Sequence, residues 1–182
     1  MSFLVDHQIK KAVEDGEIKI DPFDPKRLAP AGYYITLGKD LLIPKKGETI
    51  DIGGDRNPEY RKVQISQKGY TLKQHDFILG ETEEILTIPH NYAAFIDGRS
   101  SLARLGLEIH QTASFIFPGH TESIITLEIK NSGMSNIVLR SGVQIAKLIF
   151  FRTDEFATKG YKDIGDYAHQ PDIAGAKIKD NH

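Results

Sequence analysis

Apolar and polar positions alternate along most of this chain in short runs broken by turn residues. The runs read YYITLG, DLLIP, KVQIS, GYTL, DFILGE, EEILTIP and YAAFIDG between residues 33 and 98. A second group, SIITLEIKN, NIVLRSG and QIAKLIFF, follows between residues 123 and 151. Short apolar runs separated by turn signals predict strands, and their spacing favours an all-β sandwich or jelly roll. One segment differs. In DHQIKKAVEDG, Ile9, Ala12 and Val13 fall on one helical face, which predicts a short N-terminal helix with Asp6 as its N-cap and Gly16 as its stop. After Arg152 the composition turns polar and Gly-rich. The prediction is a β domain over residues 1–152 and a loosely held tail over 153–182.

Two of these segments carry candidate chemistry. Period-two alternation in SIITLEIKN puts Ile125, Leu127 and Ile129 on one face and Thr126, Glu128 and Lys130 on the other. Glu128 therefore points away from its own core. It is either a solvated carboxylate on an outer face or a pocket residue covered by another surface, such as a neighbouring subunit. At the end of YAAFI, the stretch GRSSLARLG (98–106) packs Arg99 and Arg104 around Ser100 and Ser101. It reads either as a polar turn leading into one helical turn or as an anion site made of backbone N–H groups, hydroxyls and a guanidinium.

Composition narrows the function classes. The 182 residues carry 23 Lys and Arg against 25 Asp and Glu, a formal charge of −2, so no broad basic surface suggests nucleic-acid binding. No cysteine is present. That excludes a disulfide framework, a thiol nucleophile and cysteine-ligated zinc, and it fits a reducing cytoplasm. The N-terminus MSFLVDHQIKKAVEDGE lacks the apolar core of a signal peptide, and no later stretch is apolar enough to span a bilayer. The expectation is a soluble, cytoplasmic protein.

The segment DGRSSLARLGLEIHQTA, followed by PG and TLEIKNSG, closely resembles the deoxycytidine triphosphate deaminase branch of the dUTPase-like superfamily. The likeness extends upstream to DHQIKKAVEDGEIKIDPFDP and PAGYYITLG, and downstream to LRSGVQIAKLIFF and YAHQP. It implies a distorted jelly roll, a homotrimer, and active sites built between subunits. It places the catalytic glutamate at Glu128, its serine and arginine at Ser100 and Arg104, and a water-holding backbone at Ala113. Arg99, Ser100 and Ser101 match the phosphate-contacting turn. His110, Gln111, Thr112 and Tyr167 are implied to line the substrate pocket, and Gln170 to close over the triphosphate. Magnesium is implied only as the companion of the triphosphate.

The expected reaction is hydrolytic deamination of dCTP to dUTP and ammonia. One carboxylate that takes a proton from water and passes it on can serve each step. Zinc-dependent nucleobase deaminases need a Pro-Cys-x-x-Cys motif beside their His-x-Glu, and a chain without cysteine lacks it. Three departures from the family pattern stand out: Tyr34 and Thr36 replace charged residues, and Phe117 replaces an aspartate before PG. A phenyl ring cannot accept a proton from the water that would attack an α-phosphate. Phe117 thus predicts dUTP that accumulates, unless Glu122 substitutes. Phe115 and Phe117 are read as core or interface packing, and His120 as a loop residue. The rival readings are a dUTPase or bifunctional deaminase–diphosphatase, and a catalytically weakened nucleotide sensor.

Overall fold

The computed structural model describes residues 2–168 and 170–178. Chain order begins with β1 (Ser2–Phe3), α1 (Asp6–Glu14), β2 (Lys19–Asp21), a 3-10 turn (Pro25–Arg27), β3 (Leu28–Ala29) and β4 (Gly32–Pro44). Then come β5 (Tyr60–Gln64), β6 (Tyr70–Leu72), β7 (Phe77–Thr82), β8 (Ile85–Thr87), β9 (Tyr92–Gly98) and α2 (Ser100–Ala103). The chain continues through β10 (Leu107–Glu108), β11 (Phe115–Ile116), β12 (Thr126–Asn131), β13 (Ile137–Leu139), β14 (Gln144–Arg152) and α3 (Tyr161–Ile164). The molecule is mostly β, as its alternation predicts. No helix among the described residues is long and apolar enough to cross a membrane.

Ten strands form one sheet, in the order β10-β12-β7-β4-β14-β9-β11, with β1 added to β14 and β3 and β5 added to β4. All of its pairings are antiparallel. The runs YYITLG and DLLIP, read as two strands, are one. β4 pairs with β14 through Tyr33–Thr36 and with β5 through Asp40–Pro44, and its register on β7 shifts between Leu37 and Leu41. A bulge of this kind bends a strand and increases its twist, so one strand serves both halves of the sheet. Gly38 stands in the bulge because Glu81 crosses it: an added Cβ would lie 2.5 Å from Glu81 Cγ, while Glu81 Oε1 accepts the Asp40 N–H at 3.0 Å.

The core is aliphatic. Leu37, Leu41, Leu127, Ile129, Ile145 and Leu148 are buried within it, and Ile9 and Ala12 of α1 pack against the same cluster. Asp6 is not the N-cap. Val5, with extended φ −90° and ψ 171°, holds that position, and Asp6 is the first helical residue, where its charge opposes the helix dipole. The Val5 N–H donates to Gln8 Oε1 at 3.1 Å. The helix does stop at Gly16, whose φ of +74° lies in the left-handed region.

Thr36 belongs to a buried network rather than to a pocket. Its N–H and hydroxyl donate to Glu84 at 3.0 and 2.9 Å, and the Arg27 guanidinium pairs with the same carboxylate. Burial pushes the Glu84 carboxyl up, against the pull of Thr36 and Arg27. Where the resemblance implies a charged residue at position 36, the chain has an uncharged hydroxyl, and Arg27 reaches the buried carboxylate.

The segment after Arg152 is also not the bare tail its composition suggested. It forms α3, and Ile173 is buried beside Leu42 and Leu79, with Tyr60, Phe77 and Ile124 around it. Lys62 Nζ donates to Asp172 Oδ2 at 2.6 Å and reaches Asp40 Oδ2 at 2.8 Å. One apolar side chain seated in a cleft can hold a polar strand of chain that surface ion pairs alone would not.

Two stability predictions follow from these contacts. Arg27→Met strands the Glu84 carboxylate, so thermal unfolding should show a melting temperature lower by about 6–20 °C, the equivalent of about 3–5 kcal/mol. An unchanged melting temperature would mean that Thr36 alone satisfies Glu84. Ile173→Asp should make the segment after Arg152 cleavable under limited proteolysis while residues 1–152 stay resistant. Equal cleavage of variant and parent would show that Ile173 does not anchor the segment.

Candidate active site

Glu128 sits in the middle of β12, paired in register with Leu79 of β7. Alternation works here as predicted: Leu127 and Ile129 are buried, while Glu128 is half-buried on the opposite face. Its backbone N–H donates to Ile109 O at 3.1 Å, which ties β12 to the segment after α2. The Gln111 N–H in turn donates to Glu128 Oε2 at 2.8 Å. The carboxylate is therefore aimed by backbone, not only by rotamer preference. Gln111 Nε2 also donates to Glu108 at 3.2 Å. The Ser132 hydroxyl holds the Glu108 carboxyl below the usual carboxylate range, with help from Gln111.

Glu128 lines a cleft of about 580 Å³ together with Gln111, Thr112, Ala113, Thr126 and Gln170. That volume suits a nucleotide-sized ligand. Phe115, Phe117, Tyr161 and Tyr167 complete an aromatic wall. Phe115 and Phe117 are not core residues: they are 40% and 49% exposed, in edge contact at 5.0 Å, and Phe117 stacks on Tyr161 at 6.2 Å. His120 does lie in a loop, but it is buried against Tyr161, and burial pushes its imidazole pKa down. Composition could not separate an exposed aromatic wall from a core.

Gln170 lines this cleft from the segment after Arg152. Its backbone N–H donates to Ser123 Oγ and its side-chain amide to Thr126 Oγ1, both at 3.1 Å. The Tyr167 hydroxyl accepts the Lys177 N–H at 2.9 Å. His169, in the same run, lies outside the described residues. Glu122 points elsewhere: it is exposed, with φ +43°, and its N–H donates to Thr87 Oγ1. Among the described residues Glu128 is the one carboxylate lining this cleft.

The serine–arginine signature faces a different cleft, of about 540 Å³, lined by Tyr34, Arg99, Ser100, Ser101, His110 and Lys147 among others. The two clefts share no lining residue. Ile109 and His110 face one, and Gln111, Thr112 and Ala113 face the other. Arg104 lines neither; it caps the C-terminal end of α2 and is exposed. Gly106 ends that turn at φ +81°, with Gly133 so close that an added Cβ would lie 2.3 Å from its nitrogen. The fold thus joins Glu128 with Ala113, Gln111, Thr112, Tyr167 and Gln170. It joins Arg99 with Ser100, Ser101 and His110, and it does not bring the two groups together in one chain.

Residues 3–153 match the dCTP deaminase-like family. A dCTP deaminase, dUMP-forming, of Persephonella marina is 34% identical over 180 residues, covering 96% of each chain. Its counterpart in Clavibacter michiganensis subsp. michiganensis is 37% identical over 169 residues, covering 91% of this chain and 83% of that one. The crystal structure of 2'-deoxycytidine 5'-triphosphate deaminase from Agrobacterium tumefaciens matches with a TM-score of 0.64 at 21% identity. It covers 81% of this chain, which spans about half (47%) of that longer chain, and it supports the fold alone. The relatives' names print dUMP as the product, which differs from the dUTP expected from Phe117. With residues 3–153 matched by the family and a relative 34% identical over 96% of its length, the chain belongs to the dCTP deaminase-like family.

Proposed function

We propose that this protein is an enzyme that deaminates dCTP at C4 of the cytosine, releasing ammonia. One observation carries the reading: a half-buried carboxylate, Glu128, aimed by the Gln111 N–H on the wall of a nucleotide-sized cleft. The carboxylate takes a proton from water as its oxygen bonds to C4. It gives that proton to the ring nitrogen, then takes the second proton from the new C4 hydroxyl and gives it to the amine as the C4–N bond breaks, so that dCTP and water balance to the uracil nucleotide and ammonia. The Ala113 backbone lies in the same cleft, where it can hold the attacking water.

Ser100 and Arg104 complete the reading only from a second copy of the chain. Ser100 lines a separate cleft from Glu128 and Arg104 lines neither, which favours a site shared between subunits, and the family resemblance favours a homotrimer. Arg99, Ser100 and Ser101 receive the triphosphate, with Mg2+ arriving on the phosphates as part of the substrate. Gln170 and Tyr167 close the cleft from the tail side.

Kinship makes dUMP the first expectation for the product, since the relatives carry it in their names. A second reading has its own support in Phe117. Hydrolysis at the α-phosphate needs a base for a second water, Phe117 offers none, and Glu122 is outside the cleft. On that reading the chain stops at dUTP.

Glu128→Gln should lower the rate of ammonia release from dCTP by about a hundred- to ten-thousand-fold, while calorimetry shows dCTP binding retained. Turnover near the parent rate would remove Glu128 from the mechanism. Chromatography of the parent reaction decides the product: dUMP with pyrophosphate supports the kinship reading, and accumulating dUTP supports the Phe117 reading. Light scattering of the active protein should give a trimer, and full activity in a monomer would contradict the shared site.

A further inference from the structure

We infer that Tyr34 is a positioning residue for Arg99, holding its guanidinium toward an incoming polyphosphate by a cation–π contact that leaves its charge free. The inference rests on the reading of Arg99 as a phosphate-contacting residue. Tyr34 stands where the resemblance implies a charged residue, and the structure places it in the same cleft as Arg99, Ser100 and Ser101.

The strand register explains why the two side chains meet. Lys147 of β14 stands opposite Tyr34 of β4 on one side and Asp97 of β9 on the other. Tyr34, Lys147 and Asp97 therefore form a row across three strands, on one face of the sheet. Arg99 follows Asp97 by two residues and keeps an extended backbone, φ −89° and ψ 130°, so its side chain emerges on that same face. The Arg99 guanidinium carbon lies 5.1 Å from the centroid of the Tyr34 ring, and Arg99 Nη1 donates to Gln144 O at 2.8 Å.

These two contacts fix the guanidinium without neutralising it. A carbonyl and a ring face attract a cation but carry no net charge. Lys147, one strand away, is treated differently: Asp97 pairs with it at 3.2 Å. No carboxylate among the described residues lies within ion-pair distance of Arg99. A carboxylate at position 34 would hold the guanidinium as firmly, but it would compete with a phosphate for the same donors. Tyrosine supplies the orientation and leaves the donors on the open side for an anion.

The test compares Tyr34→Leu, Tyr34→Phe and the parent, with dCTP turnover read alongside binding of inorganic tripolyphosphate by calorimetry. Tyr34→Leu should weaken tripolyphosphate binding and raise KM for dCTP by about fivefold, with kcat within about twofold of the parent. Tyr34→Phe keeps the ring and should match the parent in both. A leucine variant that binds tripolyphosphate as the parent does would overturn the inference. So would a phenylalanine variant as impaired as the leucine one, a fall in kcat with melting temperature, or a parent that binds no tripolyphosphate. A parent that binds tripolyphosphate but does not turn over dCTP sinks the proposed activity alone, and the positioning role is then judged on the binding series.

Discussion

Residues Gln144–Arg152 give backbone hydrogen bonds to both β4 and β9, and the two clefts depend on that double pairing. One face of β14 is apolar, with Ala146, Leu148 and Phe150 buried, so the strand has no alternative position that keeps those side chains out of water. A one-residue slip would expose them. With the register fixed, Lys147 lies between Tyr34 and Asp97, the Gln144 carbonyl meets Arg99, and β9 ends where α2 must begin. On the other half of the sheet, β12 is held between β7 and β10, and that pairing places Glu128 on its cleft wall. A hydrophobic constraint thus sets polar positions on both sides.

The two halves of the candidate chemistry nevertheless face apart. On the proposed reading, Glu128 in one chain lacks the serine and arginine that would complete the site, and the arginine turn lacks a carboxylate. If both are gathered across a subunit boundary, as proposed, activity becomes conditional on assembly, each chain supplying what its neighbour lacks. The exposed ring surfaces of Phe115 and Phe117, on the Glu128 side, are consistent with a surface that another chain covers.

Much of this was legible in the chain itself. Alternation in SIITLEIKN predicted the outward carboxylate, because burial of Leu127 and Ile129 leaves Glu128 no choice of face. The β class was legible from the same alternation, and the signature turn from the resemblance. The rest depended on contacts that pattern cannot carry. Glu84 is one charged residue among many until Arg27 and Thr36, distant in sequence, close around it. Gly38 and Asp40 look like a turn, yet they form a bulge inside one strand because Glu81 crosses there. Ile173 is a lone apolar residue in a polar segment, too weak a signal to predict an anchored tail. Asp6 shifted by one position, from cap to first turn, since Val5 takes the extended conformation.

Subunit complementation tests the shared site most directly. Ser100→Ala and Glu128→Gln chains, each inactive alone, are unfolded together in equal amounts and refolded into mixed assemblies. If each site draws Glu128 from one chain and Ser100 from its neighbour, random mixing should restore about a quarter of the parent's ammonia release from dCTP. A mixture that assembles fully yet stays as inactive as its components would contradict the account, because both residues would then have to act within one chain.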